Sequence, residues 1–423
     1  MASTFFETVC LSDKERVQSS VIAWIFSGEC NAISLQDKLT ALENLIKPTS
    51  KWNNITSMES LVEWEHMDIL ILLKDNNGVL QDVVVIENKI KCDLHDNQLT
   101  RYSTQLKSQY ILDKNGNPKT NEINPYYNAT HHYHYGYLTL INHNSVTDGN
   151  NIVWTNFTYK KLYDELCNGL NNGNTSDPDY HIAESYLNAL DNMVSVADVA
   201  IQNPCILFLD KFHPYNNTYH SEWDYIRKYK LRHVLQVNYF ESIKQAVEND
   251  INQYLTKYGN QTCTVRVSYG MQSDNAEIAL DFKNGGLITT YLDFAQNGQG
   301  DFCIAAQSGS FKIAAAKDYN DKNNATRNKE LLQNRGFMRR PGTKGSTNKD
   351  SIFDLYAAQP QNKTWRVNTA RGDRARMSIS RPAGKSNKWF IKDNVIDEFK
   401  LCIDSLYNML ELYNLEKQKY NWH

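Results

Sequence analysis

Two apolar runs dominate the first half of the chain, His66 to Lys74 and Val79 to Ile90, joined across Asp75-Asn76-Asn77-Gly78. Asn, Asp and Gly tolerate the positive φ of tight turns, so the pair is predicted to be a β-hairpin. Its second arm, Val83-Val84-Val85-Ile86, shows no polar alternation, as expected of a strand covered on both faces inside an α/β sheet. Upstream, Ser12 or Asp13 caps a predicted helix running to about Phe26, with Val17, Val21, Ala23, Trp24 and Ile25 on its apolar face. A second helix over about 35–46 stops at Pro48, and polar residues 49–56 lead to a short strand near Leu61. Downstream, the pattern predicts a helix over 94–110, a long loop rich in Asn, Pro and Gly over 113–127, and strands over 133–142 and 152–156. Helices over 159–168 and 181–200 follow, on either side of a linker at 171–178.

The texture changes after residue 203. Residues 206–209 fit a strand or a short helix, and 223–258 is helical over most of its length. Strand character returns at 262–269, 276–282, 287–294 and 302–306, with Gly285-Gly286 and Asn297-Gly298 as turns, which predicts an antiparallel sheet. Residues 319–347 are polar, with weak helical character at 329–334; a strand pair at 364–367 and 377–379 and a helix over 393–416 close the chain. The expectation is an α/β domain over 1–203 and an α+β domain over 204–423.

A length of 423 residues fits two or three domains. Eight scattered cysteines form no C-x-x-C pair and are expected to be reduced, mostly buried thiols. No membrane-length apolar run or signal-peptide pattern is present, so a cytoplasmic location is expected. The net charge of −3 hides an asymmetry: residues 311–391 hold 18 Lys and Arg against 6 Asp and Glu. A basic segment on an acidic body suggests a polyanion partner. Within it Arg335, Arg339, Arg340, Arg366, Arg371, Arg374 and Arg376 are candidate phosphate contacts, interleaved with Phe337 and Trp365, which either stack on bases or pack in a core. The bland alternative is a solvated, solubilising loop.

The candidate chemistry sits on the hairpin. Asp68 is a lone acid in its first arm, and Glu87, Asn88 and Lys89 interrupt the second. Strand alternation puts Glu87 and Lys89 on one face, with Cα atoms roughly 6.5 Å apart, and Asn88 on the other. The hairpin can fold Asp68 back beside Glu87. Two buried carboxylates are costly together unless a cation lies between them, and Mg²⁺ or Mn²⁺ suits their oxygens. Gln98 and Tyr102, four apart, share a helical face. His131, His132 and His134 invite a transition-metal reading, but adjacent strand residues point to opposite faces, which favours a surface loop.

In this order, Asp68, Glu87-Asn88-Lys89 and Gln98-x-x-x-Tyr102 resemble the motifs of the PD-(D/E)XK nuclease superfamily, the last being the QxxxY signature of its RecB-like branch. The segment Glu15-Arg16-Val17-Gln18-Ser19-Ser20-Val21-Ile22-Ala23-Trp24 is similar to the E-x-x-H-S-x-x-L-A-W helix of bacterial members, with Gln18 where His is usual. The resemblance covers about the first 200 residues. It implies a restriction-endonuclease-like core, a mixed sheet flanked by helices, and a Mg²⁺-dependent phosphodiesterase acting on nucleic acid, DNA foremost, in defence, restriction or repair. Asp68, Glu87 and the backbone carbonyl of Asn88 would hold one metal, and Glu15 would reach a second metal or a bridging water. Lys89 would orient or deprotonate the attacking water or stabilise the phosphorane; Gln98 and Tyr102 would position that water or a phosphate; Lys91 and Arg101 would contact the backbone. Cutting both strands with one site per chain would favour a homodimer. The rival reading is a catalytically silent binding or ligand-sensing protein on the same scaffold.

Overall fold

The computed structural model describes residues 6, 14–90, 97–113, 115–141, 145–208, 218–259, 262–269, 276–283, 300–307, 310–317, 351–369, 377–382 and 390–420. The chain divides into two compact units, Met1–Gln202 with His220–Val234, and Asn203–Tyr219 with Leu235–His423.

The first unit opens with α1 (Glu15–Ile25) and α2 (Leu35–Ile46). Ser34 caps α2, its side chain accepting from Asp37 N, and Lys47 ends it at φ 56°. The strands β1 (Ile55–Trp64), β2 (Met67–Asp75) and β3 (Leu80–Lys89) form an antiparallel meander. The helix α3 (Gln98–Leu106) and a ribbon of β4 (Tyr110–Leu112) and β5 (Pro118–Ile123) come next. Then come β6 (His132–Thr139), β7 (Val146–Thr147), β8 (Val153–Thr158), α4 (Tyr159–Leu170) and α5 (Pro178–Gln202). The sheet order is β1-β2-β3-β6-β8-β7, with β3, β6 and β8 parallel. This is a six-stranded mixed sheet flanked by helices, the restriction-endonuclease-like arrangement.

Its two faces are built differently. Even-numbered side chains of β3 meet α1, α2 and α4; there Gly136 of β6 leaves room for Ile46, whose Cδ1 would lie 2.7 Å from an added Cβ. Odd-numbered ones meet α3, in a core of Val83, Val85, Leu99, Tyr102, Leu106 and Trp154. That is why β3 is apolar throughout: buried on both faces, it has no solvent side to encode.

Several elements differ from expectation. β1 is ten residues long, not a short strand; as an edge strand it is only partly covered, so half of its residues are polar. Glu65 and His66, the two residues between Trp64 and Met67, make a tight hairpin at φ 46° and 71°, with no Gly or Asn to announce it. The helix after the hairpin is shorter than 94–110, and the 113–127 loop contains β5. His134 Nε2 donates to Asp82 Oδ1 at 2.7 Å, His132 lies 3.6 Å from the same oxygen, and His131 meets the Tyr126 carbonyl. No group of three or more His, Cys, Asp or Glu suited to a metal occurs among the described residues.

The second unit contains α6 (Cys205–Phe208), most of α8 (Arg232–Leu255) and α10 (Lys392–Glu416). The preceding α7 (His220–Lys228) belongs to the first unit, where Trp223 and Ile226 are buried, so the sequence placed it on the wrong side of the boundary. Strands at Thr262–Tyr269, Ala276–Lys283, Gly300–Gln307 and Ser310–Lys317 pair antiparallel in turn, the last also with Met377–Pro382, which pairs with Arg366–Thr369. Ser310–Lys317 lies largely within the span expected to be a basic segment, and α9 (Ile352–Ala358) was not foreseen. Trp365 is buried, edge-on to Tyr356, and so packs in a core rather than stacking on bases. The strand expected at 287–294 and the helix at 329–334 lie outside the described residues. No helix among the described residues is long and apolar enough to cross a membrane.

Candidate active site

Register places the acids. Ile69 pairs with Ile86, so the next step along the hairpin sets Asp68 opposite Glu87, both on the α3 face. The two carboxyls lie within hydrogen-bonding reach of each other. Glu87 is fully buried, and Lys89 Nζ sits 2.6 Å from its Oε1. Gln98 donates through Nε2 to the same oxygen at 2.6 Å and to Tyr102 OH at 2.7 Å, so both hydrogens of its amide are committed. Tyr102 OH in turn donates to the His66 carbonyl. Gln98 and the buried Tyr102 therefore buttress Glu87 and tie α3 to the β1–β2 turn, where the sequence had them facing a water or a phosphate.

Electrostatics sharpen this picture. Burial first, then the neighbouring Asp68 charge, pushes the Glu87 carboxyl up to about 8 against the pull of Lys89. Burial also raises Asp68, although the Asn88 backbone N–H, 2.8 Å from its Oδ2, and the Lys89 charge draw it back. Burial and the Glu87 charge push Tyr102 up to about 12, keeping its phenol a donor. Glu87 Oε2 is buried and meets no donor. Raised to about 8, Glu87 keeps its proton at neutral pH when no cation is present, and a divalent cation between the two acids would displace that proton and let both ionise.

Asn88 has a part the motif did not reveal. Its side chain turns to the opposite face, where Nδ2 donates to Ser19 Oγ at 3.0 Å and the Glu15 carbonyl at 3.2 Å, and Oδ1 accepts from Tyr159 OH at 2.6 Å. One buried amide thus fastens the catalytic strand to α1 and α4. Glu15 latches the strand end, its Oε1 accepting from Ile90 N at 2.8 Å. Gln18 accepts from Tyr186 OH at 2.5 Å in the core. Asn88→Ala would strand the Tyr159 hydroxyl and is expected to cost about 2–4 kcal/mol, read as a lowered urea midpoint. A midpoint within error of the parent would show that the amide is not a fastening.

Arg101 is exposed on α3, beside the site. Lys91, Arg335, Arg339, Arg340, Arg371, Arg374 and Arg376 lie outside the described residues, and Arg366 opens the strand Arg366–Thr369.

A mixed sheet with an acid pair and a lysine facing one helix defines a nuclease-type site. Residues 4–168 match the family model of the PD-(D/E)XK nuclease superfamily, and this part of the chain belongs to that superfamily. Its activity is accordingly nuclease-like and its substrate class is nucleic acid. No curated protein and no solved structure matches the chain.

Proposed function

We propose that the chain is a divalent-cation-dependent nuclease of the QxxxY, RecB-like branch that hydrolyses phosphodiester bonds in DNA, serving defence, restriction or repair. The observation that carries this is the buried Asp68–Glu87 pair, with Glu87 Oε2 left without a donor. The donor set fits Mg²⁺ or Mn²⁺: two carboxylates from Asp68 and Glu87 with the Asn88 carbonyl, and Glu15 nearby, are the sparse oxygen ligands that a hydrated hard cation accepts. When bound, such a cation supplies charge neutralisation at the phosphoryl oxygens and acidifies a water.

The chain's own groups do the rest. Gln98 and Lys89 hold the Glu87 carboxylate in one orientation. Lys89, only 11% exposed, keeps its ammonium at the acid pair, where it can orient the attacking water and stabilise charge developing on the scissile phosphate. The second unit, with the basic segment 311–391, retains the polynucleotide. Neutralising Arg339, Arg340 and Arg374 is expected to weaken DNA retention and flatten its dependence on salt; unchanged affinity across salt would remove that segment from the scheme.

The deciding test is a panel of labelled linear, circular and single-stranded DNA and RNA with Mg²⁺, Mn²⁺ or chelator. Cleavage that needs the metal is expected. Cleavage undiminished by chelator would sink the assignment.

A further inference from the structure

Beside the acid pair lies a pocket of about 390 Å³ that no step above uses. Its walls come from α3, the β4–β5 ribbon and the β1–β2 turn, and it shares Tyr102 and His66 with the site. Two hydrogen bonds, Tyr102 to Gln98 and Gln98 to Glu87, separate its floor from the chemistry.

Three features describe an occupant. First, the volume falls in the range of roughly 300–1,000 Å³ typical of small-ligand sites. Second, the lining is rich in hydrogen-bonding groups of both kinds: Arg101 and Lys119 donate, Glu65 and Asp113 accept, and Thr100 does either. Asp113 is held below the usual carboxylate range by the backbone N–H groups of Asn117 and Asn115, so it is an anion. Two carboxylates on the rim disfavour a bare phosphate, whereas a nucleobase offers edge donors to them, acceptors to the cations and a face on which a guanidinium can stack. Third, the wall is strained: Glu65 and His66 both sit at positive φ, with the Tyr102 hydroxyl on the His66 carbonyl and Lys119 3.4 Å from Glu65.

We propose that this pocket takes one unpaired nucleobase of the substrate strand, next to the phosphate being cut, so that the enzyme acts on single-stranded or locally opened nucleic acid. The proposal rests on the nuclease reading and goes further, because it names the state of the substrate. The pocket admits a base only when it is out of a duplex stack.

The experiment uses the full chain and labelled single-stranded oligonucleotides, each with one abasic residue at a different position around the cut. A base seated in the pocket predicts one position whose loss lowers kcat/KM roughly 5- to 100-fold, with little effect elsewhere. Asn115→Trp, on an exposed ribbon turn, should plug the mouth and reproduce that loss on the complete oligonucleotide while adding nothing on the abasic one. A 2-aminopurine at the sensitive position should brighten on binding the Glu87→Gln protein, and not when Asn115→Trp is added. Cleavage indifferent to every abasic position, or a fully paired duplex cut as fast as a single strand without any fluorescence change, would overturn the pocket and leave the nuclease standing. No cleavage of any substrate, with 2-aminopurine brightening that Asn115→Trp abolishes, would support the pocket and remove the nuclease.

Discussion

Glu87→Gln is expected to abolish cleavage and at the same time to make the metal-free protein more stable at alkaline pH. In the folded state this carboxyl is raised to about 8 from an ordinary 4.5. Between those values the folded chain holds a proton that the unfolded chain has released. Stability therefore falls as pH rises across that window and levels off above about 8. An amide removes the penalty: its oxygen can still accept from Gln98, and its NH₂ can donate to Asp68. Above pH 8 the variant should exceed the wild type by about 1–4 kcal/mol, with the gap closing toward pH 4.5. Saturating Mg²⁺ or Mn²⁺ should narrow that gap, and reverse it where it is smaller than the gain, because a ligand at 100 times its Kd adds about 2.7 kcal/mol to a chain that binds it and nothing to one that does not. Urea midpoints from pH 5 to 9, with chelator and with metal, measure both effects. Parallel curves for the two proteins would mean that the buried acid is not under strain.

Removing Lys89 should separate cation binding from chemistry. Lys89→Met keeps the aliphatic stem against its neighbours and deletes the ammonium beside Glu87. Cleavage is expected to drop by roughly 10²–10⁴-fold. Cation affinity should hold or rise, since a positive charge has left the neighbourhood. Lys89→Arg should not rescue, because a planar fork cannot occupy the place of a point charge 2.6 Å from one oxygen. Single-turnover rates and a Mn²⁺ titration test the pair of claims. Cleavage within tenfold of the wild type would take Lys89 out of the reaction.

What could be read from the residues beforehand follows from how each element is encoded. The β2–β3 hairpin announced itself through its Asp-Asn-Asn-Gly turn and its valines, and once its register was right Asp68 had to meet Glu87. The β1–β2 turn left no such mark, because Glu65 and His66 hold positive φ through tertiary contacts, the Tyr102 hydroxyl and Lys119, and not through their own preference. The edge strand β1 was underestimated for a related reason: half-solvated strands carry polar residues that also suit loops. Asn88 was read as a motif spacer. Its bonds to Ser19 and Tyr159 span sequence separations of 69 and 71 residues, which no local pattern encodes. In the second unit charge masked structure, so that most of the strand Ser310–Lys317 was counted in a basic segment, while Trp365 was left between stacking on bases and packing in a core, the second of which its burial fits.

The ribbon β4–β5 forms a sheet of its own, with no strand pairing to the central one, and hangs from α3 through Gln105, which accepts from Leu112 N and whose carbonyl takes the Asn124 amide. Its tip can therefore be lengthened, shortened or exchanged without disturbing the strands that carry the acids. If the pocket takes a base as proposed, the ribbon's share of its wall can drift while the acid-bearing strands are kept.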